Sequence, residues 1–157
     1  MVDIERLREI VASGLRNYVG CPFIRSNQNV EPPKYPYAVY TITTVATENR
    51  GTYEEWEDGV ARKTVNTVLS ITVRSNDNTE SVTLANKARE WLDYVGTTHL
   101  NDNGVIVQSV TAITNRDNVL TIDYEYANGF DCFFTCCDEV VMPEVATIDS
   151  AVVDITR

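Results

Sequence analysis

His99 is the single histidine of this chain. A zinc helix of the H-E-x-x-H kind needs two, so that chemistry is excluded. Beside Asn101 and Asp102, His99 is expected in a solvated loop, because one imidazole without a placed nucleophile specifies no reaction. Phosphate cradles and nucleophile elbows are missing as well. No G-x-x-x-x-G-K-[ST], G-x-G-x-x-G or G-x-S-x-G occurs. Basic residues are scarce, 13 against 23 acids, giving a formal charge of −10 and a pI near 4.5. That balance argues against a simple phosphate-binding role, since nucleic-acid binders usually show a basic patch. No apolar run approaches the roughly 20 residues of a membrane span. The start, MVDIERLREI, lacks the basic-then-apolar order of a secretion signal. The expectation is a protein that is not an enzyme, with no cofactor, no metal and no membrane association.

Cysteine is sparse and clustered: Cys21, then Cys132, Cys136 and Cys137. The last three lie in GFDCFFTCCDE, which lacks the C-x2-C spacing of a zinc turn. Read as a strand, Cys132 and Cys136 share a face with Phe130 and Phe134, and Cys137 points the other way. The thiols are expected to pack as small apolar side chains, in a reducing compartment.

What is present describes one globular domain over residues 1–157, 43% hydrophobic. The clearest element is DNTESVTLANKAREWLDYVG, Asp77 to Gly96. Asp77 and Glu80 have capping-box spacing, and Gly96 suits a left-handed stop. Leu84, Ala85, Ala88, Trp91, Leu92 and Val95 form one apolar stripe. Asp3 to Val19 predicts a first helix, capped by Asp3 and stopped at Gly20. Four prolines between Cys21 and Pro36 predict a loop.

Tyr37 to Thr47 predicts a strand. Val60 to Arg74 predicts another, with Val65, Thr67, Leu69, Ile71 and Val73 on its apolar face. Val105 to Thr114 and Val119 to Tyr126 predict a third and fourth. In the fourth, Leu120, Ile122, Tyr124 and Tyr126 oppose Asp123 and Glu125. Asn128-Gly129 is either a tight hairpin turn or a bulge in one longer strand that continues to Cys137. The order α, ββ, α, ββ predicts an α+β fold. Its sheet is four-stranded and mainly antiparallel, its helices pack on one face, and residues 138–157 form a possible C-terminal arm.

Between the first two strands lies ENRGTYEEWEDG. Glu48, Tyr53, Glu54, Glu55, Trp56, Glu57 and Asp58 make it the candidate protein-contact loop. Tyr and Trp are residue types favoured as interface anchors, and acids among them steer a basic partner. A hard-cation loop and a plain solvated hairpin tip are the other readings of the same residues.

Several strings together carry a family resemblance. They are the YAVYTI strand (Tyr37 to Ile42), a long tip, a strand ending VRSNDN, and a helix with Ala85, Ala88 and Trp91. The turn Asn115-Arg116-Asp117 and the strand YEYANGFDCFF, Tyr124 to Phe134, complete the set. Over roughly Pro36 to Glu139 the chain resembles the neck or tail terminator proteins of tailed bacteriophages and related head–tail joining proteins. The resemblance implies an α+β structural protein of the virion, assembled in the host cytoplasm as a ring, typically hexameric. Such a ring caps the tail tube, meets the head connector or head-completion protein, and lets genome DNA pass without specific binding. It supplies no catalytic residues. Another head-completion, tube or baseplate adaptor protein, or an unrelated soluble binding module, are the competing readings.

Overall fold

The computed structural model describes residues 1–47, 52–119 and 124–143. Asp3 caps the first helix, α1 (Ile4–Val19), by accepting the Arg6 N–H at 3.0 Å. Gly20 closes it with φ 79° and its N–H on the Arg16 carbonyl. The strands are β1 (Phe23–Arg25), β2 (Tyr37–Thr47), β3 (Glu54–Glu55) and β4 (Val60–Ser75), then β5 (Ile106–Val110), β6 (Thr114–Asn115), β7 (Asn118–Val119) and β8 (Tyr124–Val141). The main sheet order is β1-β2-β4-β8-β5. β3 pairs with β4, and β6 pairs with β8. β7 forms a separate two-residue ladder with the start of β8.

This corrects the expected four-stranded, mainly antiparallel sheet. Seven strands join one mixed sheet, in which β1 runs parallel to β2 and the other pairings are antiparallel. The extra strands are two or three residues long, too short to show a period. β1 lies inside the proline-rich stretch expected as a loop. It is recruited by the otherwise free edge of β2: the Ala38 N–H donates to Pro22 O, and the Ser26 N–H to Tyr40 O.

β4 and β8 form the long axis, paired without a register shift from Val60↔Val141 to Ser75↔Tyr126. Sixteen residues of β4 span about 50 Å. Their pairing also removes both expected forms of Asn128-Gly129. There is neither hairpin nor bulge against β4, because Asn128 faces Val73 and Gly129 faces Thr72 in regular register. Gly129 is there for a close approach instead. A Cβ on it would stand 2.3 Å from the Ile71 carbonyl oxygen and 3.0 Å from Arg116 Nη1.

The second helix is α2 (Asn78–Glu90). It runs into a π turn, Trp91–Val95, and then α3 (Thr97–Asp102). Asp77 accepts the Thr79 N–H at 3.1 Å. Glu80 does not reach the Asp77 N–H directly. It accepts from the Ser75 hydroxyl, and that hydroxyl accepts from the Asp77 N–H at 3.1 Å. Gly96 is not left-handed (φ −88°), and its N–H bonds the Trp91 carbonyl at 2.7 Å. The wider turn rotates Val95 off the apolar stripe and leaves it 47% exposed. The chain then continues as α3, so His99 is helical rather than in a loop. Its ring lies 6.1 Å from Trp91.

One sheet face carries Ala38, Leu69, Ile71, Val73, Phe130, Cys132 and Phe134, buried with α1 residues Leu7, Val11 and Leu15 and with α2 residues Ala85 and Ala88. Cys132 and Cys136 are buried on this face, as the alternation predicts, and Cys137 is exposed opposite. Burial pushes the Cys21 thiol up to about 11 and the Cys132 thiol up to about 12. A thiol must ionise to react. With Cys137 the single exposed thiol, one fast-reacting group is expected in a native alkylation time course. Four fast-reacting thiols would show the core open. Of the expected fourth strand, residues 120–123 lie outside the described residues. Residues 138–141 belong to β8, and 144–157 of the expected arm are outside the description.

Candidate protein-contact site

Local sequence builds the tip into a small, fixed hairpin. In the backbone register of β3 and β4, Glu54 stands opposite Arg62 and Glu55 opposite Ala61. The reversal spans Trp56 to Gly59: the Trp56 N–H donates to Val60 O at 3.2 Å, and the Gly59 N–H donates to Trp56 O at 3.0 Å. Gly59 takes φ 75°, a conformation that side chains resist. Asp58 is the clip. It accepts the Val60 N–H at 3.0 Å and pairs with Arg62 at 2.7 Å. The Arg62 guanidinium beside it, helped by the Val60 N–H, holds its carboxyl below the usual range. Arg62 also lies 5.0 Å over the Trp56 ring and pairs with Glu139 at 3.0 Å.

Tyr53 anchors the base of the tip. Its hydroxyl donates to Asp138 at 2.6 Å, and Lys63 sits 4.4 Å over its ring. The Met1 amine, first, and the Tyr53 hydroxyl hold the Asp138 carboxyl below its ordinary value. The candidate residues therefore divide by role. Tyr53 and Asp58, though exposed, are bonded to Asp138 and Arg62 and hold the hairpin. Glu54, Glu55, Trp56 and Glu57 are exposed, Trp56 by 58%. Glu48 lies outside the described residues. Asp58 is already committed to Arg62, which leaves the hard-cation reading one carboxylate short.

Sequence reasoning did not assign a role to Arg116, Asp117 or Glu125, and the structure does. Arg116 crosses the sheet face opposite the helices. It donates to Ser70 Oγ at 2.7 Å and Thr72 Oγ1 at 3.0 Å, and pairs with Asp131 at 3.1 Å. Asp117 accepts the Ala127 N–H at 2.7 Å and the Tyr124 hydroxyl at 3.0 Å. Buried Glu125 pairs with Arg74 at 2.7 Å and accepts the Tyr35 hydroxyl at 2.9 Å. The Asn-Arg-Asp turn and the Tyr-Glu-Tyr strand are thus two halves of one latch. Their spacing in sequence was the only available signal.

The Ala127 N–H is the main cause of a lowered Asp117 pKa. A depressed carboxylate contributes stability above its unfolded value, and loses it as pH falls through the folded value. Thermal melts are therefore expected to drop as pH falls below about 3.8, the ordinary aspartate value. Asp117→Asn is expected to flatten part of that drop. An acid limb identical in both proteins would remove Asp117 from the account.

The opposite sheet face lacks a helical cover among the described residues. It exposes Phe133 (36%) and Ile106 (51%) beside polar Ser70, Thr72 and Thr135. No helix among the described residues is long and apolar enough to cross a membrane. A family model described as phage neck terminator protein matches residues 6–157. No curated protein matches the chain.

Proposed function

Because the chain belongs to the phage neck terminator family, we propose that its copies close into a hexameric ring that ends the tail tube and joins it to the head connector. Membership makes it a structural protein of the virion neck that meets other head and tail proteins, in a family that is not an enzyme family. The ring is our reading. The observation that carries it is the family match together with the uncovered sheet face and the projecting hairpin. A ring needs two different, complementary patches on each subunit, and the hairpin and sheet face are surfaces of different kind.

The net charge of −10 suits a channel through which DNA slides, since a basic lining would hold phosphates. The tube and the connector are its proposed neighbours, and assembly is proposed in the host cytoplasm. Tails assembled without the protein are expected to lack uniform length and to fail to join heads. Tails of normal length that fill and join heads without it would contradict the proposal.

A further inference from the structure

The end of the sheet far from the hairpin carries a groove of about 570 Å³ between α1 and β1. Its floor is apolar, with Ala12, Phe23 and Tyr40. Its walls bring together three guanidinium groups, Arg8, Arg16 and Arg25, with one carboxylate, Glu9, among them. Glu5 pairs with Arg8 and with Arg25. Arg16 is exposed and makes no ion pair among the described residues. Arginines around an apolar floor suit an aromatic side chain flanked by carboxylates.

This chain carries such a ligand. Trp56 projects from a fixed turn between Glu55 and Glu57, with Glu54 beside them. None of the three glutamates makes an ion pair among the described residues. The hairpin cannot fill the groove of its own subunit. It pairs with β4 at Ala61, whereas the groove lies beside Tyr40, which faces Ile71 of β4. Ten residues of strand separate the two positions, roughly 33 Å.

We propose that the groove receives the Glu54–Glu57 hairpin of a second copy of this chain, with the Trp56 indole over the floor and the glutamates on Arg8, Arg16 and Arg25. The contact joins two different patches, so it is heterologous and propagates around a ring. The inference rests on the ring reading and names the contact that builds it. A preformed turn loses little freedom on docking, and a central tryptophan is the residue type that most often dominates such an interface.

The test uses the full chain, with copy number followed by native mass spectrometry over a concentration series and on tail ends. Trp56→Ala and Arg16→Glu are each expected to weaken self-association by roughly tenfold to a hundredfold. Both residues are exposed, so losing the Arg62 contact over Trp56, or the basic charge in the last turn of α1, is expected to lower the melt only slightly and leave the fold intact. The charge swap Glu55→Arg with Arg16→Glu is expected to recover association that either change alone removes. An equimolar mixture of Trp56→Ala and Arg16→Glu subunits retains one intact contact and is expected to stop at dimers. Variants that form wild-type rings would overturn the contact and leave the ring reading standing. A wild-type chain that stays monomeric both in solution and on tail ends would overturn both.

Discussion

Trp91→Ala is expected to lower the unfolding free energy by about 3–5 kcal/mol, the range for removing a large buried aromatic. Trp91 is 5% exposed, at the start of the π turn. Two glycines make its slot. A Cβ at Gly14 would stand 2.1 Å from the indole, and one at Gly96 would stand 2.4 Å from it. The indole thus fills the gap between α1 and the helix that follows β4, with His99 against its edge. Neither glycine has a side chain to swing into the void, and His99 is the ring beside it, so the cost is expected within that range. Chemical denaturation measures it. A loss below about 1 kcal/mol would mean that the slot collapses and that Trp91 does not hold the helical layer together.

The second large effect is functional. Replacing Glu54, Glu55, Trp56 and Glu57 together by serine, and leaving Tyr53, Asp58 and Gly59 to hold the turn, is expected to block attachment to tails. Loss of the tryptophan alone is expected to weaken the contact at least about tenfold. Stability is expected to fall modestly: the Arg62 contact over Trp56 is lost, worth about 0.5–1 kcal/mol at an exposed site, and the three glutamates are surface residues outside any ion pair among the described residues. The Asp58–Arg62 pair and the Tyr53–Asp138 bond survive the change. Sedimentation of the variant with purified tails reads the outcome. Normal attachment and tail completion would exclude the hairpin from assembly.

How far the sequence could be read depended on whether a residue answers to its neighbours in the chain or to distant ones. Asp3 and Gly20 mark α1 through bonds within four residues, and both ends are where the sequence puts them. The alternation from Val65 to Val73 is local too, and its buried face is the predicted one. Gly96 was singled out for the wrong reason. It is needed because Trp91 leaves no room for a Cβ, a three-dimensional fact that mimics a helix stop.

Asn128-Gly129 misleads in the same way. As a dipeptide it signals a turn, yet the Asn128 amide donates to Ser81 Oγ at 3.1 Å and Asn78 Oδ1 at 3.3 Å, which holds the strand straight across α2. β1 was hidden because three residues show no period and its partner is the edge of β2. At the candidate site, composition pointed to the tip but could not divide it. That Tyr53 and Asp58 hold the turn depends on Asp138 and Arg62, and Asp138 is 85 residues away from Tyr53.

The most direct test of the ring is to image tail tubes with the protein bound and to count its copies at the head-proximal end. The account predicts a single closed ring, with each Trp56 hairpin in the α1–β1 groove of the next subunit and no protein further along the tube. Copies stacked along the tube, or none at its end, would contradict it.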